Sequence, residues 1–198
     1  MRIPHYLKPG WIGPILHSLV LTARYFLGLL PAPTRLYLEV VNVCNADCVF
    51  CAYRHDKRPK RRLALDVVQR TAAEFKRLGG NSVSFSPTLG ETFADKNALK
   101  KIEAVRDIGF PNMYTYTNAS LLHRFGVENV LRSGLTIIRI SLAPLDAEIY
   151  RSIFQNQTYP DVLKNVRDLL IAFAATTDRT VQDIYLEFRS DRPLEACQ

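Results

Sequence analysis

Three cysteines fall within eight residues, in the run CNADCVFC from Cys44 to Cys51. Thiolates are soft ligands that suit iron–sulfur clusters, zinc or copper(I). A closed structural site takes four protein ligands, and a four-iron cluster with ordinary ligation takes four cysteines. Three thiols leave a position open for a substrate or cofactor, which marks chemistry rather than scaffolding. The fourth cysteine of the chain, Cys197, stands at the extreme C-terminus, and nothing around it suggests a ligand. On the residues alone, the alternative is zinc held by the three cysteines and His55, although zinc ligands usually come as two separated knuckles. Clustered thiols without a secretion signal point to metal or redox chemistry in a reducing, cytoplasmic compartment, not to a disulfide framework.

The rest of the chain must position these sulfurs. Its 198 residues are 47% hydrophobic, enough for one globular domain with a substantial core. The formal net charge of +7 favours anionic partners without choosing among them. The most apolar stretch, Trp11 to Leu30, contains His17 and Arg24 and an early Pro14. A membrane span wants about 20 apolar residues with few charges. We read residues 14–30 as an amphipathic helix packing on the body of the domain, within an N-terminal helical extension over 1–34. Contact with a membrane surface is the less favoured reading, because apolar helices more often join a core.

From residue 35 the pattern alternates. The sequence predicts strands at 35–43, 82–86, 112–117, 136–141 and 183–188. Helical stretches intervene: LALDVVQRTAAEFKRLGG with a glycine cap at Gly79 and Gly80, a helix capped by Asp95 and stopped by Gly109, a broken stretch over 121–134, and helices over 146–154 and 161–176. Alternating apolar strands and helices predict an α/β fold with a parallel sheet. The pattern leaves open a curled, barrel-like sheet or an open doubly wound one. In either, the working end lies at the C-terminal ends of the strands. There the sequence places the cysteines, then PTLGETF, TNAS and SLAPLD. In the last strand, Ile184, Leu186 and Phe188 alternate with Tyr185, Glu187 and Arg189. With the apolar set under helices, Glu187 and Arg189 line a cofactor or substrate pocket; the alternative is an edge strand facing water.

At this point the residues resemble a family. CNADCVFC is similar to the cluster motif of the radical S-adenosylmethionine (radical SAM) superfamily. VNVCN resembles the end of the first strand in its peptide-modifying and cofactor-maturing, SPASM-type branch. PTLGETF resembles the Gly-Gly-Glu segment after strand two, TNAS the Thr-Asn-Gly turn after strand three, and ISLAPLDAEIYRSI the Ser-Leu-Asp segment after strand four. The matches come in family order over residues 35–154. Leu89, Ala119 and Ala143 depart from the usual glycines and aspartate, although Asp146 lies close by.

The resemblance implies a partial (β/α) barrel of parallel strands, with about five of the six strand–helix units present, so that the domain over 35–198 is C-terminally incomplete. It implies a 4Fe-4S cluster on Cys44, Cys48 and Cys51, with S-adenosylmethionine on the open iron. The reaction expected is formation of a 5′-deoxyadenosyl radical that abstracts hydrogen from an unknown substrate, a peptide or small molecule. Phe50 is implied beside the adenine, the alternative being a core aromatic. Gly90 and Glu91 are implied at the methionine amino group, with a solvated acid as the alternative for Glu91. Asn118 and Ser141 are implied at the ribose or carboxylate, strand-end or helix caps being the alternative. An electron donor such as flavodoxin or ferredoxin is a further implied partner.

The basic run RHDKRPKRR, Arg54 to Arg62, reads as a solvated loop or as a docking patch for an acidic donor, acidic peptide or RNA phosphate. It interleaves no aromatic platform apart from Tyr53, which argues against nucleic-acid recognition. The rival to an enzyme is a non-catalytic metal- or cluster-binding module, or an inactive fragment, touching an anionic partner through Arg54–Arg62.

Overall fold

The order in which the strands lie side by side decides between the two sheet types. In a computed structural model, which describes residues 12–28, 33–86, 88–144, 146–156 and 158–190, the strands are β1 (Arg35–Tyr37), β2 (Ser82–Ser84), β3 (Asn112–Thr117), β4 (Ile137–Leu142) and β5 (Asp183–Phe188). They form one sheet in the order β1-β2-β3-β4-β5, and every pair is parallel. A doubly wound sheet reverses its order at a switch point; this one does not. Successive right-handed crossovers then put the helices that connect the strands on the same face, and the opposite face lines an interior. This is the partial barrel.

The alternation along the strands agrees with that division. Residues paired across neighbouring strands project to the same side. Leu36, Val83 and Met113 share one row, and Thr115, Ile138 and Ile184 another. Val83, Met113, Ile138 and Ile140 are fully buried, and they belong to one core with Val68 and Phe75 of α2 (Leu65–Arg77), Ile102 of α3 (Ala98–Arg106), Leu131 of α4 (Val127–Leu131), Tyr150 of α5 (Ala147–Phe154) and Leu169 of α6 (Tyr159–Ala175). The other face carries Tyr37, Ser84 and Tyr114 in one row and Tyr116, Arg139 and Tyr185 in the next.

The chain divides into two compact units, Met1–Pro33 and Thr34–Gln198. The first contains α1 (Ile12–Phe26), which begins slightly before the expected start. Among the described residues no helix is long and apolar enough to cross a membrane.

Two local expectations are corrected. The first strand was expected over 35–43, but its ladder with β2 covers only Arg35–Tyr37. Beyond Leu38 the chain pairs instead with the segment returning from the cysteine loop. Leu63 N–H donates to Val40 O at 3.0 Å, Asn42 N–H to Arg61 O at 3.2 Å, and Val41 bridges Arg62 antiparallel. The second correction concerns Asp95, expected as a helix cap. The helix starts three residues later, at Ala98, and Asp95 is fully buried in an ion pair with Lys101. Lys101 also donates to Val40 O at 3.4 Å, so the pair pins α3 to the segment that leads to the cysteines.

Removing Lys101 leaves the buried Asp95 carboxylate with only Arg62 as a counter-ion among the described residues, its Nε standing 3.9 Å away. Lys101→Met is expected to lower stability by about 3–5 kcal/mol, with Asp95→Leu combined with Lys101→Met recovering much of the loss, measured by urea unfolding.

Candidate active site

The cysteine loop is held from several directions. Cys44, Cys48 and Cys51 are free thiols, each partly buried. Cys51 N–H donates to Cys48 O at 3.0 Å, and Val49 N–H donates to Ile153 O at 2.9 Å near the end of α5. A 3-10 turn, Ala52–His55, follows; Cys51 Sγ accepts from Tyr53 N–H at 3.4 Å, and Tyr53 Oη donates to Cys44 O at 3.3 Å. Burial pushes the Cys44 thiol up to about 11, with the charges of Glu91 and Cys51 adding to the rise. Burial likewise pushes Cys48 up to about 12, reinforced by Cys44 and Cys51. Metal uptake at Cys44 and Cys48 must therefore displace thiol protons. Among the described residues no three His, Cys, Asp or Glu side chains converge as they would on a single ion. A four-iron cluster asks for a different arrangement, with each cysteine on its own iron. Cys197 and Pro87 lie outside the described residues.

The loop after β2 presses against the segment before Cys44. Gly90 has φ +145°, and a Cβ there would stand 2.6 Å from Val41 O. No other residue type permits that approach. Its neighbour Glu91 donates its N–H to Val43 O at 2.8 Å. The Glu91 side chain is 3% exposed, so it is not a solvated loop acid. Its Oε1 accepts from Thr117 Oγ1 at 2.8 Å and Phe93 N–H at 3.2 Å, and its Oε2 accepts from Asn118 N–H at 2.8 Å. Burial raises its pKa above the ordinary carboxylate range despite these donors.

The turn after β3 completes the junction. Asn118 Oδ1 accepts from Ser120 N–H at 3.0 Å and Ser120 Oγ at 2.6 Å, while Asn118 Nδ2 donates to Asn45 Oδ1 at 3.1 Å. Asn45 Nδ2 returns a bond to Ser120 Oγ at 2.7 Å, joining the cysteine loop to this turn. Ala119 sits at φ +60°, in the left-handed region. Asn165 of α6 braces the turn from behind, its Nδ2 donating to Ala119 O at 2.9 Å and Ser120 O at 3.1 Å. Sequence reasoning missed Asn45, Thr117, Ser120 and Asn165. Asn45 and Ser120 stood inside motifs already singled out, whereas nothing in the sequence marks Asn165.

On the far side, β5 reaches the same rim. Ser141 pairs in register with Glu187. Glu187 takes Arg139 Nη1 at 2.7 Å and Arg189 Nη2 at 3.3 Å. The Arg189 guanidinium lies 5.8 Å from the centre of the Phe50 ring. Phe50 is 54% exposed and meets Phe154 edge-on at 5.7 Å, so it is not a core aromatic. The basic run is largely matched by acids nearby: Arg54 with Asp47, Arg58 with Asp56 and Glu39, and Lys60 with Asp56.

The sequence profile of the Radical SAM superfamily matches residues 38–182 of this chain. The chain therefore belongs to that superfamily, whose members are enzymes that bind a 4Fe-4S cluster and S-adenosylmethionine. Among curated proteins it is similar to the GTP 3′,8-cyclase of Edwardsiella ictaluri, 30% identical over 139 residues, covering 66% of this chain and 40% of the cyclase. It is similar as well to the probable GTP 3′,8-cyclase of Archaeoglobus fulgidus, 29% identical over 120 residues, 61% of this chain and 39% of that one. The chain thus spans about two-fifths of the length of these relatives. Among solved structures, Streptococcus suis SuiB aligns over 97% of this chain and 42% of its own, with TM-score 0.69 at 16% identity. The FeFe-hydrogenase maturase HydG from Carboxydothermus hydrogenoformans aligns over 77% of this chain and 35% of its own, with TM-score 0.54 at 16% identity. Both share the fold.

Two measurements follow from this junction. Gly90→Ala forces a methyl group into the Val41 carbonyl, and a loss of about 1–3 kcal/mol in unfolding free energy is expected. For Glu91, a raised folded pKa means that the protonated form is favoured in the native state. Its contribution is full below the ordinary carboxyl pKa and is lost as pH rises through the folded value. The stability gap between wild type and Glu91→Gln is therefore expected to narrow as pH is raised from about 4 to about 7, followed by urea unfolding across that range.

Proposed function

We propose that this chain is the cofactor-binding core of a radical SAM enzyme, with residues 1–34 as a helical extension and 35–198 carrying the partial barrel. Cys44, Cys48 and Cys51 would hold three irons of the cluster. The donor set fits that role: three free, partly buried thiols on one braced loop, at the rim where the loops after β2 and β3 also end. The carrying observation is that Asn45 and Glu91 tie all three loops into a single junction beside the sulfurs. Bound there, the cluster and S-adenosylmethionine supply a 5′-deoxyadenosyl radical for hydrogen abstraction.

The chain's own residues divide the remaining work. Phe50, exposed beside Cys51, offers an apolar face to the adenine and keeps water from it. Glu91 already accepts three hydrogen bonds, so its carboxylate orients the Gly90–Glu91 segment, and the ammonium of the methionine part falls to main-chain oxygens of that segment. The Asn118 amide is spent on Asn45 and Ser120 and acts as a positioning residue. Ser141 serves the ribose or carboxylate from β4. Glu187 and Arg189 form the wall opposite, where Arg189 also shields Phe50. An acidic electron donor of the flavodoxin or ferredoxin type, in a reducing cytoplasm, would approach the cationic surface around Arg54–Arg62, although its local ion pairs weaken that field.

Anaerobic reconstitution with iron and sulfide tests the reading. A broad absorbance near about 400 nm is expected from thiolate-to-iron charge transfer, lost in Cys48→Ala, together with 5′-deoxyadenosine formation under a low-potential reductant. Protein that takes up stoichiometric zinc and refuses iron would refute it.

A further inference from the structure

The inner face of the sheet carries a second feature, well below the cysteine rim. Interior positions of a parallel barrel are ordinarily filled by branched apolar side chains. Here the lower rows instead present Arg35 and Tyr37 from β1, Tyr114 and Tyr116 from β3, and Arg139 from β4, around a cavity of about 490 Å³. That volume lies within the range of small-molecule sites. Among the described residues, none that lines the cavity is acidic. Arg139 has its counter-ion in Glu187, which belongs to β5 outside the lining. Arg35 differs. Its Nη1 donates to the Tyr37 hydroxyl at 3.3 Å, and its guanidinium stands 5.5 Å from the centre of the Tyr114 ring. Both partners are neutral, so they orient the guanidinium without cancelling its charge.

We propose that this cavity binds an aromatic or otherwise planar ligand through a terminal oxyanion, with Arg35 taking the oxyanion and Tyr37, Tyr114 and Tyr116 packing on its body. A guanidinium held by a phenol presents its remaining N–H groups as a fork that matches carboxylate or phosphate oxygens. Tyrosine faces supply contact area with little loss of freedom. The register also sets the ligand's length. Arg35 shares its row with Ser82 and Asn112. The Tyr116–Arg139 row lies four residues higher, about 13 Å at 3.3 Å per residue. Asn118 and Ser141 are two residues higher again, about 7 Å. A ligand anchored at Arg35 and extended along the tyrosines therefore delivers its far end to the rim. That this ligand is the enzyme's substrate rests on the proposed function; that the cavity takes an aromatic oxyanion does not.

The test uses the metal-free full chain and simple probes, followed by calorimetry and by the NMR signals of the arginine side chains. Phenyl phosphate or benzoate is expected to bind at least about tenfold more tightly than inorganic phosphate, because the ring adds contact with the tyrosines. Benzylamine, of opposite charge, is expected not to bind. Preference between the two aromatic probes assigns the oxyanion as phosphate or carboxylate, and either outcome supports the site. Arg35→Ala is expected to weaken binding about tenfold or more, and Arg35→Lys less. Arg70→Ala, on α2 outside the cavity, should leave probe binding unchanged. Circular dichroism confirms that each variant folds, which the exposure of Arg35 favours. Equal binding by wild type and Arg35→Ala, or no preference for aromatic probes over inorganic phosphate, would overturn the proposal. Iron plays no part in these titrations, so failure of the cluster reading and failure of this site are separable.

Discussion

Glu91 is a buried carboxylate that accepts three hydrogen bonds from two different loops, while its own main-chain N–H grips the segment before Cys44. A carboxylate so placed is costly to desolvate, which is why its pKa rises. It is tolerated because Thr117, Phe93 and Asn118 satisfy it, and the result is a rigid splice between strand ends that are distant in sequence. Gly90 makes the splice sterically feasible by letting the loop lie on Val41. Without this node the cysteine loop would keep its own turns, the Asn45 bridge and the Val49–Ile153 bond, but would lose the tie from Val43 to the loop after β2.

The sheet explains why such a node is needed. Its outer face is a conventional apolar core, and its inner face is polar and aromatic. The outer face supplies the stability through burial. The inner face contributes less packing and instead presents side chains that fix one another by cation–π and ionic contacts, as Arg139 does between Tyr116, Tyr185 and Glu187. The division of labour is therefore spatial. Hydrophobic burial builds the wall, and hydrogen bonds at the strand ends set the positions of the groups that could do chemistry.

Similarity to longer proteins is consistent with this economy. The matched segment runs over residues 38–182, which carry β2, β3 and β4 together with the cysteine loop and the loops that follow those strands. SuiB shares the fold across nearly all of this chain at 16% identity. What persists at such distance is the fold, because it follows from backbone geometry more than from particular side chains.

The sequence by itself determined the cysteine spacing, the alternation of strand and helix, and the glycine stops at Gly79 and Gly109, since each depends on residues close together in the chain. Its resemblance to the radical SAM superfamily also singled out Gly90, Glu91 and Asn118 at strand ends. It did not reveal what they touch, because Glu91 bonds a residue 26 positions away and Asn45 one 75 positions away. Only the tertiary structure decided the linear strand order, the early end of the first ladder and the burial of Asp95 against Lys101. Local propensity has no access to these, because each arises where separate segments compete for the same backbone partners and the same buried space.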